Sequence, residues 1–159
     1  MENSSNRISF HYEFISGKGA ISNKDRRDVS VILTVEALFT IKINDAIIYF
    51  EAELAILEFY KALFKWKETL TKENIKEFHY YTIEYDEYED GALISLIPFS
   101  NKARIKSIWA QWEVSNVFDL DKAVQEFIAL EGRLRKDIEQ FYQIDLKEFI
   151  KHIPLPCIK

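Results

Sequence analysis

Cysteine is almost missing from this chain: Cys157, in the C-terminal tail, is the only one. That excludes an internal disulfide framework and a zinc centre built on paired thiolates, and it fits a reducing compartment. Glycine and proline are scarce as well, at 4 and 3 residues, the opposite of a low-complexity or disordered composition. No segment offers about 18 consecutive apolar residues, and the opening MENSSNRIS lacks the charged start and apolar run of a secretory signal. The expectation is a cytoplasmic protein with no membrane association. Positive charge is not in excess either. The formal net charge is −5, so a nucleic-acid backbone finds no electrostatic footprint here.

What the chain has in quantity is apolar and aromatic matter. Hydrophobic residues make up 48% of its 159 residues and aromatics 14%. A chain of this length buries roughly 68–70% of its unfolded surface, enough for a core without staples. One domain over residues 1–159 is expected, with an ordered core from about 8 to 151 and a short tail at 152–159.

Hydrophobic spacing sets the expected elements. Ile8, Phe10, Tyr12 and Phe14 alternate along a first strand. Residues 16–28 carry Gly17, Gly19 and a charged run and read as a solvated connection. Val29 to Glu36 is β-branched and reads as a strand, as does Phe39 to Ile43, which Asn44 and Asp45 turn back onto Ala46 to Phe50. From Ala52 to about Leu70 the period changes. Ile56, Phe59, Tyr60, Leu63, Trp66 and Leu70 recur at three- and four-residue intervals, which predicts a helix lying across the sheet, with Glu51 and Glu53 at its start. A hairpin follows over Glu77 to Leu96, then a strand from Ala103 to Trp112. Asp119 reads as the N-cap of a second long helix, interrupted at Glu131 and Gly132, and Asp145 as the cap of a last short helix ending near Lys151. The fold class is therefore α+β: a mainly antiparallel sheet of six or seven strands packed with two major helices and a short C-terminal one.

Within the Glu77 to Leu96 hairpin, Phe78, Tyr80, Thr82 and Glu84 share one strand face and His79, Tyr81, Ile83 and Tyr85 the other. Its turn places Glu84, Asp86, Glu87, Glu89 and Asp90, five carboxylates within seven residues, with no Lys or Arg among them. Acid/base catalysis needs carboxylates in unlike environments, and a crowded turn gives them like ones. A calcium loop wants ordered oxygen ligands closed by a distant bidentate acid, and Asp86, Glu89, Asp90 and Gly91 lack that order. Two readings stay open. One is a solvated turn partly neutralised by Arg104 and Lys106. The other is recognition of a cationic protein surface by Tyr81, Tyr85, Asp86, Glu87, Tyr88, Glu89 and Asp90, since tyrosine gives large contact area with few rotatable bonds and carboxylates steer Arg and Lys. Tyr80 belongs to the same patch unless alternation packs it into the core.

Elsewhere the chemistry is thin. His11, His79 and His152 stand in no metal-ligand spacing and read as ordinary structural or surface histidines. No Gly-rich phosphate loop or GxSxG elbow occurs, so no catalytic residue, metal ligand or cofactor is expected. Trp66 belongs to a helical core stripe, whereas Trp109 and Trp112 fall on opposite strand faces.

The order FHYEFI, IIYFEAELAILEFYKALFKW, EFHYYTIEYDEYEDGALISL and IKSIWAQWE, closed by an amphipathic helix, resembles a family of small bacterial domains of unknown function, typical of spore-forming Gram-positive species. More loosely, Phe50, Ala52, Leu54, Phe59, Tyr60, Leu63, Glu77, Phe78 and Gly91 carry a plan similar to immunity proteins that neutralise wall-associated and other polymorphic toxins. The resemblance implies a cytosolic, non-enzymatic module that binds a toxin domain, and the acidic hairpin suggests that such a partner is basic. The alternative is an enzyme or small-ligand protein using a pocket between the first long helix and the sheet. A homo-oligomer stays open as a third possibility.

Overall fold

The computed structural model describes residues 6–83, 91–110 and 113–156. Among these, seven strands form two antiparallel sheets rather than the single sheet expected: β1 (Ile8–Phe14), β2 (Glu36–Ile43) and β3 (Ala46–Ala55) make one, in that order. The other runs β4 (Phe78–Tyr80), β5 (Ile94–Phe99), β6 (Lys102–Lys106) and β7 (Phe118–Asp119). Four helices accompany them: α1 (Val29–Leu33), α2 (Ile56–Thr69), α3 (Leu120–Tyr142) and α4 (Leu146–Phe149). The class is α+β, as the hydrophobic periods implied.

Local chemistry explains the agreements. Asn44 and Asp45 both take positive φ, 52° and 75°, the conformation of a tight hairpin turn that short polar side chains tolerate, and Ile43 faces Ala46 across it. Asp119 accepts from the Lys122 N–H and Asp145 from the Lys147 N–H, each capping its helix as expected.

The differences have local causes too. Val29 to Leu33 is helical, not a strand, because the Asp28 carboxylate accepts from the Val31 N–H and the Ser30 hydroxyl, and this cap overrides the β preference of the branched residues. The α2 helix begins at Ile56 rather than Ala52, since β3 continues to Ala55 in register with Glu36 of β2. Glu51 and Glu53 thus lie on a strand, and Glu58 is the acid in the helix's first turn. β6 stops at Lys106 instead of running on to Trp112, where the Ser107 hydroxyl accepts from the Trp109 N–H and turns the chain; Trp112 is outside the described residues. Gly132 does not interrupt α3, which is continuous for 23 residues.

Aromatic rings from the long helices join both sheets. Phe59 of α2 meets Phe39 of the first sheet at 4.9 Å between centroids and Tyr80 of the second at 5.1 Å. Phe127 of α3 likewise meets Phe10 at 5.1 Å and Phe78 at 5.7 Å. Both sheets therefore bury one face against the same pair of helices.

Candidate functional site

Alternation along β4 sends Phe78 and Tyr80 inward, each almost fully buried, and leaves His79 half-buried on the outer face. The pattern persists past the strand: Thr82 is buried, Tyr81 half-buried and Ile83 46% exposed. So Tyr80 is a core residue, and of the sequence-predicted recognition residues Tyr81 alone lies within the described part. Tyr85, Asp86, Glu87, Tyr88, Glu89 and Asp90 lie outside it, as does Glu84.

The root of that acidic stretch is fastened from inside. Glu58, on α2 and almost fully buried, accepts from the Tyr80 hydroxyl at 3.0 Å and, through its other oxygen, from the Ile83 N–H at 2.9 Å. Burial first, and then the charges of Glu58 and Glu51, push the Tyr80 hydroxyl well above the ordinary tyrosine range, so it stays a donor. This polar group in the core fixes where the chain leaves the sheet.

The outer face of the second sheet carries a different arrangement. Cross-strand register sets His79 opposite Ser95 and Ser95 opposite Lys106, a row over three strands. Glu77 lies two residues before His79 and so takes the same side. The His79 ring bonds at both ends, Nδ1 to Ser95 Oγ at 2.7 Å and Nε2 to Glu77 Oε1 at 2.8 Å. A carboxylate only accepts, so Nε2 carries a proton, and in the neutral ring Nδ1 then accepts from the Ser95 hydroxyl. Ser95 itself is buried, at 4% exposure.

Two clefts flank this row. One, of about 420 Å3, is lined by His79, Ser95, Ile97, Lys106, Ile108 and Glu113 among others. Its rim is tied down where the Ile108 N–H donates to the Ala92 carbonyl. The other, of about 340 Å3, lies between α2 and β4, lined by Trp66, Thr69, Lys76, Phe78, Tyr81 and Leu155 among others.

The sequence model of the family described as "Domain of unknown function (DUF7878)" matches residues 10–140, most of the chain and the whole Glu77, His79, Ser95 and Lys106 row. The chain belongs to that family. No curated protein and no solved structure matches it.

Elsewhere in this DUF7878 family member, a larger cleft of about 680 Å3 opens between the start of β1, the β2–β3 turn and the first turn of α3. Within its lining Asn44 Nδ2 donates to Asn6 Oδ1, and the Arg7 N–H donates to Asn44 Oδ1. Among the described residues no group of three or more His, Cys, Asp or Glu is placed to hold a metal ion, and no helix is long and apolar enough to cross a membrane. Arg104 lies over the Phe99 ring at 4.9 Å and Lys106 stands in the row opposite Ser95; the acidic turn that both were expected to neutralise lies outside the described residues.

Sequence reasoning gave His79 no partner, and it passed over Glu58 and Ser95. The spacing Glu77-x-His79 does put both side chains on one strand face, a signal that was legible. The pairing of Ser95 with His79 was not, because a connection of 13 residues between β4 and β5 leaves the register open.

Proposed function

We propose that this is a non-catalytic protein-binding module, a cytoplasmic bacterial immunity protein that engages a basic partner such as a toxin domain through Tyr81, Tyr85, Asp86, Glu87, Tyr88, Glu89 and Asp90. The observation that carries this reading is the double hold of Glu58 on Tyr80 and Ile83. It anchors the residue just before the acidic stretch to α2, beside the half-buried Tyr81 and the exposed Ile83. Carboxylates beside tyrosines suit recognition of Arg and Lys, and the hold on Ile83 fixes where that stretch begins. The net charge of −5 favours a basic protein over a nucleic acid.

The test is a pull-down with the tagged wild type and a variant carrying Asp86→Asn, Glu87→Gln, Glu89→Gln and Asp90→Asn, at low and moderate salt, with equal melting temperatures as the folding control. A basic protein held by the wild type alone, released by salt and shown by calorimetry on the purified pair to bind directly, supports the reading. Equal capture by both forms rejects it. The cleft between α2 and β4 favours a second reading, a small-ligand protein. A ligand seated there changes Trp66 fluorescence, and the neutralised variant binds it as well as the wild type.

A further inference from the structure

We propose that Ser95 is a nucleophile for acyl transfer, activated by His79, which Glu77 orients. The inference leaves the partner-binding surface as proposed and uses none of the acids from 84 to 90, but it replaces the non-catalytic part of that reading. Three observations carry it. The first is the continuous chain of hydrogen bonds from Glu77 Oε1 through the imidazole to Ser95 Oγ, both links within 2.8 Å. A nucleophile bonded to a base, with the base bonded to a third group that fixes its tautomer, is the geometry such chemistry needs. The second is that Ser95 and His79 both line a cleft of about 420 Å3, a size that holds a small ester. The third is Lys106, paired with Ser95 on the next strand and lining the same cleft together with Glu113, which brings a cation to the cleft where an oxyanion develops.

The step balances as follows. Ser95 Oγ bonds to the carbonyl carbon of an ester while its proton passes to His79 Nδ1. The tetrahedral adduct collapses, the bond to the leaving alkoxide breaks, and that oxygen takes the proton back from Nδ1. Water then attacks the acyl carbon and gives a proton to Nδ1. The bond to Oγ breaks, the carboxylic acid leaves, and Ser95 regains its hydrogen. Through both halves Glu77 accepts from Nε2–H and holds the ring in place. His79 and Ser95 are the catalytic residues and Glu77 is a positioning residue.

The experiment is covalent labelling of the full-length protein with a fluorophosphonate probe, the modified residue located by mass spectrometry, alongside hydrolysis of p-nitrophenyl acetate. The wild type is expected to label at Ser95 alone. His79→Ala is expected to slow labelling by about 10²-fold or more, the usual size of a general-base contribution. Glu77→Gln is expected to displace the pH profile of labelling while leaving the melting temperature unchanged, which a merely structural carboxylate would not do. Because the probe is bulky, a second reporter is Ser95→Cys: beside the imidazole its thiol is alkylated by iodoacetamide at pH 6 faster than the same variant carrying His79→Ala. Absence of Ser95 labelling together with equal alkylation of the two cysteine variants overturns the proposal. Loss of labelling leaves the pull-down outcome untouched, so the two proposals fail separately.

Discussion

Glu131 is a carboxylate whose side chain is 1% exposed, in the middle of a helix. It accepts from the Tyr60 hydroxyl at 2.6 Å, from Lys67 Nζ at 2.9 Å and from Arg135 at 3.3 Å, so it ties α3 to α2. Burial alone would raise its pKa. The hydrogen bonds from Tyr60 and Lys67 and the charges of Arg135 and Lys67 outweigh that and hold it below the usual 4.5. Breaking a buried ion pair costs about 3–5 kcal/mol, but here both cations are nearly half exposed and can return to water, so Glu131→Gln is expected to cost about 1–3 kcal/mol in urea unfolding at pH 7. The sign of the pH dependence follows from the lowered pKa. Between the two values the unfolded chain binds more protons, so the stabilisation is complete above pH 4.5 and disappears as pH falls through the folded value. Wild type and variant should converge in acid, and an undiminished difference at the acid end would show that the carboxylate's charge is not what matters.

At the scale of elements, α3 shows what hydrophobic period can and cannot tell. Val124, Phe127, Leu134 and Ile138 fall on one stripe and are buried, which is why the helix was legible. Gly132 suggested a break, yet the helix runs through it, and a Cβ built there meets nothing within 4 Å. Glycine in a helix interior is worse than alanine by about 1 kcal/mol, through backbone freedom lost on folding. Gly132→Ala is therefore expected to stabilise the protein by about 0.5–1 kcal/mol, read as a raised melting temperature, with destabilisation pointing to a distorted turn instead. Elements specified by neighbours in sequence were legible: the β2–β3 hairpin from Asn44 and Asp45, and α3 and α4 from their aspartate caps. Val29 to Leu33 was not, because branched residues argue for a strand while a single capping carboxylate settles a helix. β7 is two residues long and exists only through its pairing with Lys102 and Ala103, so no run of its own sequence announces it.

At the scale of the whole molecule, the division into two sheets escaped the sequence because alternation tells which face a residue takes, not which strands are neighbours. The Glu77, His79, Ser95 and Lys106 row was hidden for the same reason, being a product of register across three strands. The aromatic content was visible from the start, and its placement has a consequence in alkali. Burial raises the hydroxyls of Tyr12, Tyr60 and Tyr80 well above 10, helped by the carboxylates of Asp137, Glu131 and Glu58 respectively, and pushes Tyr142 up to about 12. Each bonds as a neutral donor, Tyr142 to the Ser16 carbonyl, and ionisation would put a negative charge in place of that proton. A group with a raised folded pKa contributes stability that is complete below its unfolded value, near 10, and is lost as pH climbs through the folded one. The unfolding midpoint in urea should therefore hold steady up to about pH 10 and fall between 10 and 12. Absorbance at 295 nm should show these four of the chain's eight tyrosines ionising only as the fold is lost. Full ionisation near pH 10 with the near-ultraviolet circular dichroism intact would mean that these hydroxyls reach water, and that the two helices do not close over the sheets as the aromatic contacts require.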